Sequence, residues 1–290
     1  MSAGGRPSLL VRLRAGLTVL AVLVASWELL SILVTAKGSY GEPLVPGWSY
    51  LVRNSLLRMS DYWDGSFGVP SPANGGPPTY AAAFLALAEA SAITFARLIL
   101  GVGAGLIVGV ALGLVVATSD LARRLIAPTV HILRMTPFLA MIPLFNLWFG
   151  ASTVGIVLFV AYGVTVIMFI GATNAATNVP NVYFERAATV GASRAAVFRY
   201  ILLPAIFPEI RSSVLLSLGL AWSLIVAGEL LGAQSGLGVI VTYALQFAYT
   251  GRVLVVTFLI IFYAGVSFSL FEVISRRIID WHPQVERRLR

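Results

Sequence analysis

FARLILGVGAGLIVGVALGLVVAT, residues 95–118, carries a single charged side chain, Arg97, in its first turn. As an α-helix it rises about 36 Å, enough to cross a hydrocarbon core of about 30 Å. Its glycines at 101, 105, 109 and 113 stand four apart and so share one helix face. Such a ridge lets another backbone approach closely, as small residues do at contacts between membrane helices. It is read as a packing face, within the chain or between subunits, and not as a ligand site.

The rest of the chain has the same character. Of 290 residues, 58% are hydrophobic and 11% charged, against about 25% charged in soluble domains. A soluble fold of this size has too much surface to hide so many apolar side chains. Apolar stretches of near-spanning length fall at 15–35, 95–118, 125–148, 153–173, 212–232 and 252–275. The expected fold class is therefore all-α, a polytopic membrane protein with about six transmembrane helices. Pro137 and Pro143 interrupt the third stretch, which is expected to face protein or a wet pathway, where freed backbone groups find partners. Arg6, Arg12 and Arg14 precede the stretch from Ala15 to Thr35. Its length, its Glu28 and the lack of a small-x-small site after it favour an uncleaved first helix over a signal peptide.

Charge gives the orientation. With the N-terminus inside, the inner segments 1–14, 119–124, 174–211 and 276–290 hold fourteen arginines, whereas the outer segments and helix ends hold five basic residues: Lys37, Arg53, Arg58, Arg97 and Arg252. A positive-inside bias of this size places both termini in the cytoplasm and explains the net charge of +8 without a nucleic-acid partner. The expected location is the cytoplasmic (inner) membrane, with the lipid bilayer as solvent. Some chemistry is excluded. There is no cysteine for disulfides or thiolate metal sites. The one lysine, Lys37, follows Ala36, so no phosphate-binding loop of the Gly-Lys-Ser/Thr type exists. His131 and His282 are isolated and fit neither a metal site nor a catalytic triad.

Two connections are long. The segment 36–79 is rich in Gly, Pro, Ser and aromatics, with Lys37, Arg53 and Arg58 set against Glu42, Asp61 and Asp64; Trp48–Trp63 within it suits a short amphipathic helix at a membrane surface. Tyr80–Ala96, which holds Glu89, reads as a helix leading into the second span. The inner loop 174–211 exceeds an ordinary connection. Val182–Val190 and Ser193–Leu202 have helical composition around Gly191, and Pro204 and Pro208 are expected to break the second piece. Glu185, Arg186, Arg194 and Arg199 rim Tyr183, Phe184 and Phe198, a pattern suited to docking a partner.

Within that loop, Glu185-Arg186-Ala187, three residues, Gly191, nine residues and Ile201-Leu202-Leu203-Pro204 resemble the inner-loop signature of ABC importer permeases, with Arg186 where Ala is usual. The similarity extends over roughly residues 85–276. Trp27-Glu28-Leu29-Leu30, Arg134 to Pro143-Leu144, Phe149-Gly150, Leu218 to Trp222, Gly228-Glu229 and Gly236-Leu237-Gly238 resemble the nitrate/sulfonate/taurine class. The resemblance implies an ABC importer transmembrane-domain fold. With a cytoplasmic tail at 1–14, a first transmembrane helix at 15–35, an extracytoplasmic insert at 36–79 and a basic cytoplasmic tail at 277–290 read from hydropathy and charge, the resemblance further implies a permease core at 80–276 with a coupling loop at 174–211. It also implies that Tyr183, Glu185, Arg186, Ala187, Ala188, Gly191, Ala192, Ser193, Ile201, Leu203 and Pro204 couple to an ABC ATPase dimer. That dimer would carry the ATP and magnesium, this chain needing no cofactor and being no enzyme. A second permease copy, as a homodimer, and an extracytoplasmic solute-binding protein are the other implied partners. The implied cargo is a small anion such as a sulfonate, taurine or nitrate.

Ionisable residues inside membranes are functional candidates. Arg134, Trp222 and Glu229 are the candidates for a solute path. Glu229 has two readings, lining that path or bracing the loop at Gly236. Arg134 either meets an anionic solute or pairs with a glutamate such as Glu28, the second being preferred. An ion-gradient-driven secondary transporter is the competing function. It calls for inverted repeats around midplane acids, and no clear repeat is visible.

Overall fold

The computed structural model describes residues 9–38 and 41–279; Arg6, His282 and most of the two tails lie outside the described residues. Helices account for nearly all the ordered elements, the one β feature among the described residues being an isolated bridge from Lys37 to Pro43. Among the described residues, five helices are long and apolar enough to cross a membrane, or six if one bent pair counts as a span. The chain divides into two compact units, 1–88 with 240–258 and 89–239 with 259–290.

The larger unit explains the glycine ridge. Helix α2 (Tyr80–Thr118) is continuous through the Ala-rich stretch, as expected, and its part in this unit packs against α5 (Thr153–Thr177). A Cβ at Gly101, Gly105, Gly109 or Gly113 would stand 2.8, 2.6, 2.7 and 2.8 Å from the Cβ atoms of Val160, Val164, Met168 and Ala172. The ridge is thus an intrachain seam. Thr165 and Thr173 hydroxyls donate across it to the carbonyls of Gly105 and Gly113 at 3.4 and 3.3 Å, contacts available only because the backbones approach so closely. On its other side α5 meets α7 (Arg194–Leu230) in a core built on Phe159, Val164, Met168, Leu224 and Ile225.

The third span is not straight. Helix α3 (Asp120–Met135) ends before Pro137, and the chain turns by 96° into a segment, 138–149, that includes α4 (Ile142–Phe149). Pro137 has no N–H for the carbonyl of Leu133; that oxygen accepts from the Tyr162 hydroxyl of α5 at 3.0 Å and from the Thr136 N–H at 3.2 Å. Pro143 causes no second break, because it occupies the first turn of α4, where no intrahelical donor is required.

The expected break at Pro204 and Pro208 does not occur. Helix α7 runs through both, with a π-turn at Phe198–Leu202 in which the Leu203 N–H reaches back to the Phe198 carbonyl. The widened turn shifts the hydrogen-bond register just ahead of Pro204, so the helix continues. The second helical piece of the 174–211 loop, from Arg194, therefore extends the neighbouring span.

In the smaller unit, α1 (Leu9–Leu33) holds the start of the insert. The Trp27 indole donates to the Pro46 carbonyl and the Glu28 carboxylate accepts from the Trp48 N–H, both at 3.0 Å. Trp27, Trp48 and Phe258 form an aromatic cluster. The insert itself is helical from Trp48 to Tyr62, with Leu51 and Met59 buried. Arg252, in the first turns of α9 (Thr250–Ile279), closes it through an ion pair to Asp61 at 2.8 Å. Burial pushes the neighbouring Tyr62 phenol above its usual range, although Arg252 pulls the other way.

Candidate functional site: a presented helix and a buried brace

The stretch with the inner-loop signature folds as α6 (Asn181–Thr189), a turn, and the start of α7. The turn explains the spacing between Ala187 and Gly191. Gly191 adopts φ +68°, a left-handed conformation that costs a residue with a Cβ about 1 kcal/mol or more. From there its N–H donates to the Ala188 carbonyl and the Ala192 N–H to the Ala187 carbonyl, each at 3.0 Å. This pair of bonds is a Schellman stop, which satisfies carbonyls the helix end would otherwise leave open. Ser193 then caps the next helix, its hydroxyl accepting from the Ala196 N–H at 3.2 Å. Ala187 is buried. Glu185, Arg186, Ala188, Tyr183 and Leu203 are exposed. The motif thus encodes a short helix of fixed length and exit angle that presents one charged and aromatic side outward.

Tyr183, Ile201 and Pro204 meet at a cleft of about 530 Å³ between the start of α6 and the first turns of α7. Asn178 and Glu209, which the sequence did not mark, also line it; the Asn178 amide donates to the Glu209 carboxylate at 2.7 Å.

A second constellation surrounds Glu229, in the last turn of α7. Its side chain is 0% exposed and that of its ion-pair partner Arg97 is 4% exposed, with Nη1 and Oε1 2.9 Å apart. The carboxylate also accepts from the Thr94 hydroxyl at 3.0 Å and from the Gly238 N–H at 2.9 Å. The Thr94 hydroxyl oxygen in turn accepts the Leu237 N–H at 3.0 Å. Helix α8 (Leu237–Gln246) therefore has its first donors satisfied by Glu229 and Thr94. Arg97 uses its remaining donors on Thr153, on the Ser235 carbonyl at 2.6 Å and on the Ser235 hydroxyl at 2.9 Å. The Asn146 amide holds the other end of the loop, at the Leu231 carbonyl, at 2.7 Å. A Cβ at Gly236 or Gly238 would run into Glu229, which explains the Gly-Leu-Gly run.

Of the two readings of Glu229, the geometry is that of the brace. Arg97, expected at an outer helix end, is instead the buried centre of the constellation. A charge inside an otherwise apolar helix was the available signal, but its partner lies 132 positions away. Glu28 serves the Trp48 N–H within the smaller unit, and Arg134 is exposed within the larger one. Trp222 is buried edge-on to Phe95 at 5.4 Å, and its indole nitrogen has no hydrogen-bond partner among the described residues.

Comparison with known proteins agrees with this architecture. Residues 101–280 match the family described as "Binding-protein-dependent transport system inner membrane component". The taurine transport system permease protein TauC of Escherichia coli (strain K12) is 30% identical over 195 residues, covering 67% of this chain and 71% of that protein. The putative aliphatic sulfonates transport permease protein SsuC of the same strain is 32% identical over 192 residues, covering 66% and 73%. A chain from "Inward facing conformations of the MetNI methionine ABC transporter" superposes with a TM-score of 0.54 at 21% identity, covering 68% of this chain and 95% of its own, a likeness of fold. With its multiple apolar helices and a family match over more than half its length, the chain belongs to the binding-protein-dependent transport system inner membrane components: it is a multi-pass permease subunit of an ABC importer, a transport component and not an enzyme.

Proposed function

We propose that this permease carries a small anion, a sulfonate such as taurine or a chemically similar solute, and that α6 with its Schellman turn is the element through which a separate ATPase dimer drives it. The observation that carries the coupling reading is the Ala187–Gly191–Ala192 stop. It fixes a short helix at one angle, with Glu185, Arg186 and Tyr183 projecting from it. A lever must be rigid to transmit a displacement, and a helix tied at its C-terminus meets that requirement. ATP and magnesium belong to the partner, and a solute-binding protein delivers cargo from the opposite side.

The fourteen-to-five distribution of basic residues supports cytoplasmic termini, with α6 on the inner face and the insert 36–79 outside. The segment 80–276 acts as the permease core, in a dimer of two copies. For the solute, the named cargoes of TauC and SsuC favour a sulfonate. Arg134 supports the same reading, because its planar donor fork matches an oxyanion and is exposed beside the bend at Pro137.

The test is ATPase activity of the reconstituted complex in liposomes, with and without taurine and its loaded binding protein. Stimulation by taurine that is lost in Gly191→Trp supports coupling through α6, and unchanged stimulation in that variant rejects it. Stimulation only by a cationic or neutral solute rejects the anion assignment and leaves the coupling intact.

A further inference from the structure

The cleft beneath α6 has a chemistry that the presented helix does not. Its polar lining is acceptor-rich: the Glu209 carboxylate, the carbonyl oxygen of Asn178 and the hydroxyls of Tyr183 and Tyr200. Asn178 spends an amide hydrogen on Glu209, which holds the carboxylate in place and leaves its own carbonyl oxygen as an acceptor. Among the described residues, none lining the cleft is basic. Asn178 is also the C-cap of α5, a helix of 25 residues, so the negative end of that helix's dipole adds to the charge of Glu209. Pro180, Pro204 and Pro208 stiffen the walls. Arg199 already lies over the Tyr200 ring at 5.8 Å.

This is an electronegative recess in a segment otherwise dominated by arginine, for Arg186, Arg194, Arg199 and Arg211 all lie in the same stretch of chain. A flat electropositive surface repels a cation, so a cation is drawn only to the recess, and that restricts the register of docking. The rim residues Tyr183, Ile201 and Pro204 belong to the coupling set, so the recess is continuous with the surface assigned to the ATPase.

We propose that the Asn178–Glu209 cleft receives a basic side chain, lysine or arginine, of the ATPase subunit, as a second contact beside the one made by α6. The proposal rests on the reading of α6 as the docking helix. The recess supplies what the exposed tip lacks, a half-enclosed carboxylate whose attraction for a cation is less screened than that of a surface charge.

The experiment uses the full permease and its ATPase. In Glu209→Gln the side-chain oxygen that accepts from Asn178 is retained and only the charge is lost, so the melting temperature of the permease alone should stay unchanged. The expected result is a subunit affinity about tenfold weaker at low ionic strength, with the gap closing as salt is raised. An affinity equal to that of the natural protein overturns the proposal. Because the chain has no cysteine, a Tyr200→Cys variant can carry one photoreactive benzophenone at the rim. Cross-linking in the assembled complex to an ATPase peptide containing a lysine or arginine supports the proposal. Cross-links to lipid alone, as a choline headgroup in the recess would give, or only within the permease, overturn it. Gly191→Trp, run in parallel, separates the two readings. If it abolishes assembly while Glu209→Gln does not, only the cleft contact falls. If Gly191→Trp both assembles normally and keeps its taurine-stimulated ATPase activity, the docking helix assignment falls as well.

Discussion

Arg97 and Glu229 face each other at 2.9 Å with neither side chain open to solvent, joining the helix that begins at Tyr80 to the end of the helix that begins at Arg194. Removing one member of a buried pair strands the other charge, at a cost of about 3–5 kcal/mol. Glu229→Ala and Arg97→Ala should therefore each lower the melting temperature of the detergent-purified permease sharply. The double change Arg97→Met/Glu229→Leu should recover a good part of the loss. Additive losses in the double variant would show that the pair is not the coupled unit described here.

The glycine ridge predicts a graded response. At Gly105 an added Cβ meets Val164 at 2.6 Å, with the Ala161 carbonyl 2.7 Å away, and backbone cannot yield as a flexible side chain does. Gly105→Val should cost about 1–3 kcal/mol through overpacking, whereas Gly103→Ala, with open space around it, should be close to neutral. Thermal unfolding followed by intrinsic fluorescence measures both; equal losses at the two positions would contradict the seam.

At the bend, the Tyr162 hydroxyl supplies one of the two donors to the Leu133 carbonyl. Tyr162→Phe keeps the ring and removes that donor. Hydrogen bonds between membrane helices contribute about 0.6 kcal/mol on average, with a maximum of about 1.7 kcal/mol. A loss in that range is expected, along with faster amide exchange at residues 134–138. Exchange unchanged in that window would remove Tyr162 as the support for the bend.

Gly191→Ala should leave the bulk of the fold intact and cost about 1 kcal/mol locally, because alanine resists φ +68°. The predicted consequence is functional: α6 ends less sharply, and ATP hydrolysis should become less dependent on solute. Asn at the same position tolerates the left-handed region better and should restore part of the coupling ratio. Identical ratios for the Gly, Ala and Asn forms would show that the Schellman turn does not set coupling.

Much of the fold was legible because its causes are local. Spanning length, the glycine period and the Ala187–Gly191 spacing are each written within a few helical turns, where periodicity reports the environment directly. The bend at Pro137 was half legible. A proline withdraws a donor wherever it sits, but whether a helix breaks depends on what else serves the freed carbonyl. Pro204 and Pro208 look no different in sequence, yet the helix runs through both, Pro204 in the first turn after a π-turn and Pro208 within the helix.

The candidate site divides the same way. The presented helix was readable from its signature, whereas Asn178, Glu209 and the Arg97 constellation were not. Asn178 meets Glu209 across 31 positions and Arg97 meets Glu229 across 132, and no spacing rule operates over such separations.

By itself, the sequence determined that this chain lives in a bilayer, that its helices pack through a ridge of glycines, and that it presents a short stopped helix; apolar length, period and a left-handed glycine act locally, so no partner is needed to read them. Only the tertiary structure decided which charges are buried, what braces the start of α8 and where an acidic recess opens beneath α6. Those outcomes depend on side chains brought together from distant helices, where burial makes each hydrogen bond matter and sequence distance carries no information about contact.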